Sequence, residues 1–272
     1  MRYVRGSVAI SEIADLPLLL EVRNARYISQ RQLAALLGYD ATDLARKRLA
    51  WRVDRLVSAS YLQLFEQRIQ SQKVFSIARK GLQYLEARGH QLISMTSTME
   101  KYLDPSQLMH CLELTSIRLT FQRNGVLLSW NGDVEVSSEN METGGEYAKD
   151  YDAIASFRSA DKTLRFGIEY ERTTKAHARY QGLRQLLSQE TTLDGVLYFV
   201  RGPERLFAIA SELEGAHPHL FFCAAENFAL RGMNTAFLQH LAHPALSLTE
   251  ALGLENVQSR SPQGQLPFRA HH

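Results

Sequence analysis

The sequence predicts a mixed α/β protein, α+β overall, built as two units in tandem. Three observations carry that expectation. The chain has 272 residues, more than one small module needs and enough for two domains with separate cores. Its apolar pattern changes near residue 92, from helical stripes with one hairpin to short apolar strands alternating with helices. Its formal charge of +2 is a sum of opposites. Residues 1–100 hold 15 Lys and Arg against 9 Asp and Glu, and the remainder holds 16 against 20. A basic first third suits a polyanion partner, while the acidic remainder suits either metal-binding carboxylates or an ordinary charged surface.

Composition narrows the class. An apolar fraction of 45% and a charged fraction of 22% belong to a soluble globular chain and exclude collagen-like, disordered and coiled-coil classes. No apolar run approaches the roughly 18–20 residues a bilayer span requires, so no membrane association is expected. The early stretch Leu16-Pro17-Leu18-Leu19-Leu20 is flanked by Glu12, Asp15 and Glu21, the wrong charges for a secretory signal. Cys111 and Cys223 make neither a disulfide framework nor a zinc spacing. The expected compartment is the cytoplasm.

In the first unit, Ile13 to Asn24 carries an apolar stripe, with Pro17 required to sit in the first turn or to start a new one. Ser29 suits the N-cap of a second helix, Gln30 to Leu37, which stops at Gly38. The turn Gly38-Tyr39-Asp40-Ala41 leads to Thr42, a second cap, and to a third helix running to about Ser58. Two helices joined by a tight glycine-containing turn form a helix-turn-helix. On the third helix Ala45, Leu49, Val53 and Leu56 share one face, and Lys47, Arg48, Trp51 and Arg55 lie roughly opposite. Leu62 to Ile69 and Val74 to Ile77 read as a hairpin tipped by Gln70-Ser71-Gln72-Lys73, and a helix from Ala78 to Arg88 ends at Gly89. This order is that of a winged helix-turn-helix over residues 1–92, with the hairpin as the wing.

The polar stretch 91–105 reads as the boundary. Residues 106–257 then read as an α/β domain. A helix from Ser106 to Phe121 and a strand from Val126 to Trp130 lead into Asn131 to Gly145, expected as a loop or mobile insertion. Strands follow at Ala153 to Phe157 and Leu164 to Glu171, then a helix at Lys175 to Ser188, a buried strand at Gly195 to Val200, a helix at Glu204 to Leu213 and a strand at Leu220 to Ala224. Strands alternating with helices predict a mixed sheet with helices packed against it. Residues 258–272 are expected to be a disordered tail.

Two constellations point to chemistry. A recognition helix enters the major groove with its N-terminal half, which makes Thr42, Arg46, Lys47 and Arg48 candidates for base or phosphate contact. Arg52 and Arg55 extend the basic set along the helix, and Arg68 and Lys73 flank the wing tip. The expected partner is double-stranded DNA, with a homodimer on a repeated site as one possible assembly. The same features also suit a merely solvated basic face or a dimerisation module, and Trp51 suits packing on a neighbouring domain better than stacking on a base.

The second constellation lies on the strand Leu164 to Glu171. Alternation places Leu164, Phe166, Ile168 and Tyr170 on one face and Arg165, Gly167, Glu169 and Glu171 on the other. A hairpin through Arg158 to Thr163 returns Asp152 to the side of Glu169. Asp152, Glu169 and Glu171 are thus candidate ligands for Mg²⁺ or Mn²⁺, hard ions that take oxygen donors and activate water for phosphodiester attack. Lys175, His177, Arg179 and Tyr180 follow as groups suited to orienting phosphates. An ordinary half-buried strand with a charged solvent face has the same pattern.

The order Asp152, hairpin, strand, Glu169-x-Glu171, helix resembles the core of the PD-(D/E)XK nuclease superfamily. That resemblance implies Asp152 as first acid and Glu169 as second, with Glu171 where lysine is usual and Lys175 as a replacement only if the helix start folds back. It is equally compatible with an inactive, binding relative. Together with Ser76-Ile77-Ala78-Arg79-Lys80-Gly81-Leu82, the helix bearing His110, and Ile168-Glu169-Tyr170-Glu171-Arg172-Thr173, the chain from about 25 to 215 resembles the replication-relaxation family of plasmids and mobile elements. The resemblance implies a DNA-binding accessory or regulator of replication or mobilisation, without implying catalysis. Catalysis would make it a metal-dependent DNA endonuclease, and a ligand-sensing transcriptional regulator is a third class. His217-Pro218-His219, His240 and His243 are expected to be surface or packing histidines, and no phosphate-binding glycine loop or GxSxG elbow is present.

Overall fold

A computed structural model describes residues 9–69, 71–95, 105–159, 162–239, 241 and 244–252. The side chain of Arg68, residues His240 and His243, and the tail expected over 258–272 lie outside the described residues.

The first unit follows from its caps and stripes. Helix α1 (Asp15–Ala25) accommodates Pro17 in its first turn, where a missing N–H costs no hydrogen bond. Strand β1 (Ile28–Ser29) leads into α2 (Gln30–Leu36). There Ser29 Oγ accepts the Gln32 N–H at 3.3 Å and Gln32 Oε1 accepts the Ser29 N–H at 3.1 Å, a reciprocal capping box. Helix α3 (Asp43–Ser58) starts where Thr42 Oγ1 accepts the Ala45 N–H at 3.1 Å. Strands β2 (Leu62–Ile69) and β3 (Gln72–Ile77) form the hairpin, and α4 (Arg79–Glu86) closes the unit. The return strand begins two residues earlier than expected, so the tip is shorter, with Ser71 at φ 64°. β1, too short to announce itself in the sequence, adds antiparallel to β3 and gives a three-stranded sheet in the order β1-β3-β2. Leu18, Leu19, Val22, Leu33, Leu49, Val53, Leu56, Phe75 and Leu85 fill the core.

The second unit opens with α5 (Leu108–Arg123) and β4 (Leu127–Gly132). Strands β5 (Ala153–Arg158) and β6 (Thr163–Glu171) follow, then α7 (His177–Ser188), β7 (Gly195–Val200), α8 (Leu206–Leu213) and β8 (Leu220–Ala224). The five-stranded sheet runs β4-β5-β6-β7-β8, antiparallel through β6 and parallel from β6 to β8. Phe157, Phe166, Ile168, Leu197, Phe199 and Phe221 face α5 and the short C-terminal helices α9 (Ala225–Arg231) and α10 (Leu248–Ala251). Ile154, Val196, Tyr198, Val200 and Phe222 face α7 and α8. Both faces are covered along β6 from Phe166 to Glu171, so Glu169 and Glu171, at 7% and 3% exposure, are buried rather than displayed. The pairing Ala153↔Ile168 brings Asp152 beside Glu169.

Asn131 to Gly145 is not a loop. It holds the end of β4 and an eleven-residue helix, α6 (Asp133–Thr143). The Gly132 N–H donates to Glu135 Oε2 at 2.9 Å, and Gly144, at φ 76°, ends the helix in the left-handed conformation glycine tolerates best. Val134 reaches into the core of the first unit and Val136 into that of the second. Tertiary burial thus overrides a polar local sequence.

The same helix joins the units. Arg26 pairs with Asp133 at 2.9 Å, and Asn24 Nδ2 donates to Glu135 Oε1 at 2.8 Å. A Cβ at position 132 would stand 2.9 Å from the Asn24 carbonyl oxygen, so only glycine lets the chains approach there. Arg118 on α5 makes a two-pronged pair with Glu21 at 2.7 and 2.9 Å, and Gln32 Nε2 donates to the Leu112 carbonyl at 2.6 Å.

Candidate functional site

The basic helix α3 separates into three groups. Leu49, Val53 and Leu56 are sealed in the core. Arg52 and Arg55 turn toward α1, where Asp15, with no exposed surface, receives Arg52 Nη1 at 2.8 Å and Arg55 Nη2 at 2.5 Å. Burial works to raise the Asp15 pKa, but the Ser11 amide and the two guanidiniums outweigh it and hold the carboxyl below its ordinary range. These two arginines, expected in the DNA-binding set, are structural counterions in this conformation. The wheel placed Arg55 outward because it could not show a buried acid 40 residues upstream.

The remaining face is open. Thr42, Arg46, Lys47 and Arg48 are exposed, with Leu44 and Trp51 at 60% and 63% exposure beside them. Thr42 caps the helix, and Arg46 is held by Asp43 and the Asp40 carbonyl. Lys47 and Arg48 have no ionic partner among the described residues. Trp51 lies on the outer surface, with the Arg55 guanidinium 5.4 Å from its ring centroid. Lys73 on the wing pairs with Asp54 of α3 at 2.9 Å, which ties the hairpin to the helix.

In the second unit the structure brings Asp152, Glu169 and Glu171 to one end of β5 and β6, each with its own partners. Asp152 Oδ2 accepts the Tyr170 N–H at 2.7 Å, and His110 Nε2 of α5 stands 3.2 Å from Oδ1. Burial opposes ionisation of both. Their mutual attraction wins, raising the His110 pKa and lowering that of Asp152, with Lys149 adding to the latter. Lys149 Nζ donates to Glu169 Oε1 and, at 2.8 Å, to the Asp150 carbonyl. Burial and the neighbouring Asp152 still raise the Glu169 pKa against that pairing. Glu171 accepts from the Tyr180 and Tyr198 hydroxyls and from Lys175 Nζ at 2.7 Å. Lys175 precedes α7 and does fold back, but onto Glu171. Arg179 is exposed. His177 pairs with Glu212 at 2.7 Å.

The arrangement alternates acids with cations. Beyond the expected residues it recruits Lys149, Tyr198 and Glu113, the last accepting from the Tyr170 hydroxyl at 3.0 Å and pairing with Arg172 at 2.6 Å. Nothing local marks them, since their distances depend on strand register and helix packing. Among the described residues no group of three or more His, Cys, Asp or Glu side chains is placed to hold a metal ion. The donor set does not fit Mg²⁺ or Mn²⁺ as it stands, because an ammonium occupies Glu169 and hydroxyls and a second ammonium occupy Glu171. His217 is a packing histidine: Nδ1 accepts the His219 N–H at 3.1 Å, and burial lowers its pKa.

Fold and site together define a mixed α/β protein with an open basic helix face and a buried, internally neutralised acid cluster. Comparison of the chain with protein-family models, curated proteins and solved structures finds no match. No helix among the described residues is long and apolar enough to cross a membrane.

Proposed function

We propose that this chain is a DNA-binding protein that docks on duplex DNA through α3 and the β2–β3 hairpin, acting as a winged helix-turn-helix. The single observation that carries the reading is the outward face of α3. Lys47 and Arg48 have no ionic partner among the described residues and sit beside an exposed Trp51, on a helix whose opposite side is fixed by core packing and by Asp15. Free cations on a rigid helix are what a phosphate backbone neutralises at least cost.

The strand order of the second unit, antiparallel into parallel with the acids at one end, supports a PD-(D/E)XK-like architecture in which Lys149 and Lys175 replace metal as the counterions of Glu169 and Glu171. That favours a binding relative over the Mg²⁺- or Mn²⁺-dependent endonuclease. A role as replication or mobilisation accessory, or as transcriptional regulator, of a plasmid or mobile element follows from the family resemblance.

The test is a gel shift on a mixed-sequence duplex with the double reversal Lys47→Glu/Arg48→Glu. Loss of the shifted band with an unchanged circular dichroism spectrum is expected, and retention of the band would refute docking through α3. Incubation of supercoiled plasmid with Mg²⁺ or Mn²⁺ is expected to give no nicking. Nicking abolished by Glu169→Gln would instead establish the endonuclease.

A further inference from the structure

The outward face of α3 has a definite order. Its core side carries Leu49, Val53 and Leu56, all buried. At about 100° per residue, Leu44, Lys47, Arg48 and Trp51 fall within one arc on the opposite side, and all four are exposed. Leu44 and Trp51 take the middle of that arc, with Lys47 on one flank and Arg48 on the other. The helix has two acids and both are paired, Asp43 with Arg46 and Asp54 with Lys73. Lys47 and Arg48 have no ionic partner among the described residues. The face is thus an apolar line between unmatched cations.

The major groove of a duplex is complementary to that order. An α-helix with its side chains is about 10–12 Å across and the groove about 12 Å wide. A seated helix therefore turns its outermost residues to the groove floor and their flanking neighbours to the two phosphate walls. Residues of the N-terminal half reach the base edges. Leu44, in the first turn of α3 and 60% exposed, is the apolar residue so placed. Trp51 stands about 10 Å further along the axis, with the Arg55 guanidinium over its ring. The groove floor presents hydrogen-bonding edges at every base pair and one kind of apolar group, the thymine C5-methyl. A leucine has no donor or acceptor for the polar edges, and covering them without a partner is costly, so its gain comes from the methyl.

We infer that Leu44 reads thymine through contact with the C5-methyl group in the major groove, while Lys47 and Arg48 hold the phosphates on either side. The inference deepens the duplex-docking reading above and rests on it. It makes Leu44 a specificity-determining residue and gives the protein a preference for an A·T pair beneath it.

Fluorescence anisotropy with two all-A·T duplexes of the same mixed order tests this, one carrying thymine and the other uracil in its place. Every base pair of the first presents a methyl on one strand or the other, so the comparison holds in any register. The uracil duplex keeps the same hydrogen-bonding edges and phosphates and lacks only the methyls. The native chain is expected to bind the thymine duplex about fourfold more tightly, the worth of one methyl-sized group taken out of water. That ratio should hold from low to high salt while both affinities fall. Leu44→Ala, with an unaltered urea midpoint, is expected to bring the ratio to about one, and Leu44→Met to keep it. Equal binding of the two duplexes by the native chain would overturn the inference and leave docking through α3 standing. So would a ratio that survives Leu44→Ala, or one that Trp51→Ala abolishes instead. Lys47→Glu/Arg48→Glu tests the docking itself. If that variant binds both duplexes as the native chain does, the face is left to a protein partner and both readings fall.

Discussion

Lys149 lays its ammonium on the Glu169 carboxylate from the segment preceding β5, three residues before Asp152 and on the same side of the sheet. The ion pair supplies inside the fold the positive charge that a pair of neighbouring carboxylates requires. The cluster therefore belongs first to the stability of the sheet end, and its partners are protein groups.

Removing that ammonium should be costly. Lys149→Met leaves Glu169 buried beside Asp152 without its counterion, and breaking a largely buried pair costs about 3 kcal/mol. Urea unfolding is expected to show that loss, and the double variant Lys149→Met/Glu169→Gln should recover most of it, because the uncompensated charge goes with its partner. A single variant indistinguishable from the native chain would show that the pair carries no stability.

Asp15 anchors α3 to α1, so Asp15→Asn is expected to destabilise the first unit by about 3 kcal/mol. The pH dependence has a definite sign. The folded carboxyl titrates below its unfolded value of about 3.9, so its contribution is complete above that pH and is lost as pH falls through the folded pKa. The stability gap between native chain and variant should narrow on acidification below about pH 4 and stay constant between pH 5 and 8.

His110 has the opposite sign. Its folded pKa is raised by Asp152, with Asp133 and Glu169 adding to the field against burial. The pair stabilises fully below the unfolded histidine value of about 6.5, and the contribution is lost as pH rises through the folded value. The gap between native chain and His110→Gln should be widest near pH 6 and shrink toward pH 9. An NMR titration should place the imidazole midpoint above that of a free histidine, and a midpoint at or below it would contradict the assignment.

The helix α6 shows where sequence reasoning stops. Caps and stripes made α1 to α4 and the hairpin legible, because Ser29, Thr42 and the Leu49-Val53-Leu56 spacing act locally. The strands β5 to β8 were legible as apolar runs, with β7 and β8 bounded as read. Asn131 to Gly145 was not, because its helix is held by Asn24, Arg26 and two cores that receive Val134 and Val136. The one local cue was Gly144-Gly145 as a stop. Gly144→Ala, strained at φ 76°, is expected to cost about 1 kcal/mol in urea unfolding. In the candidate site the shared face of Glu169 and Glu171 was legible from strand alternation and the approach of Asp152 from the hairpin, whereas Lys149, Tyr198 and the inward turn of Arg52 and Arg55 depend on contacts across the fold.

Docking of duplex DNA on α3 is tested most directly by the salt dependence of affinity. Anisotropy titrations of a blunt duplex at several salt concentrations give the slope of log K against log salt, which changes by about 0.9 for each phosphate contact removed. Lys47→Ala/Arg48→Ala, at two exposed positions without ionic partners among the described residues, should weaken binding and flatten that slope by about 1.8, with the urea midpoint unchanged. An unaltered slope and affinity in that variant would contradict docking through this helix.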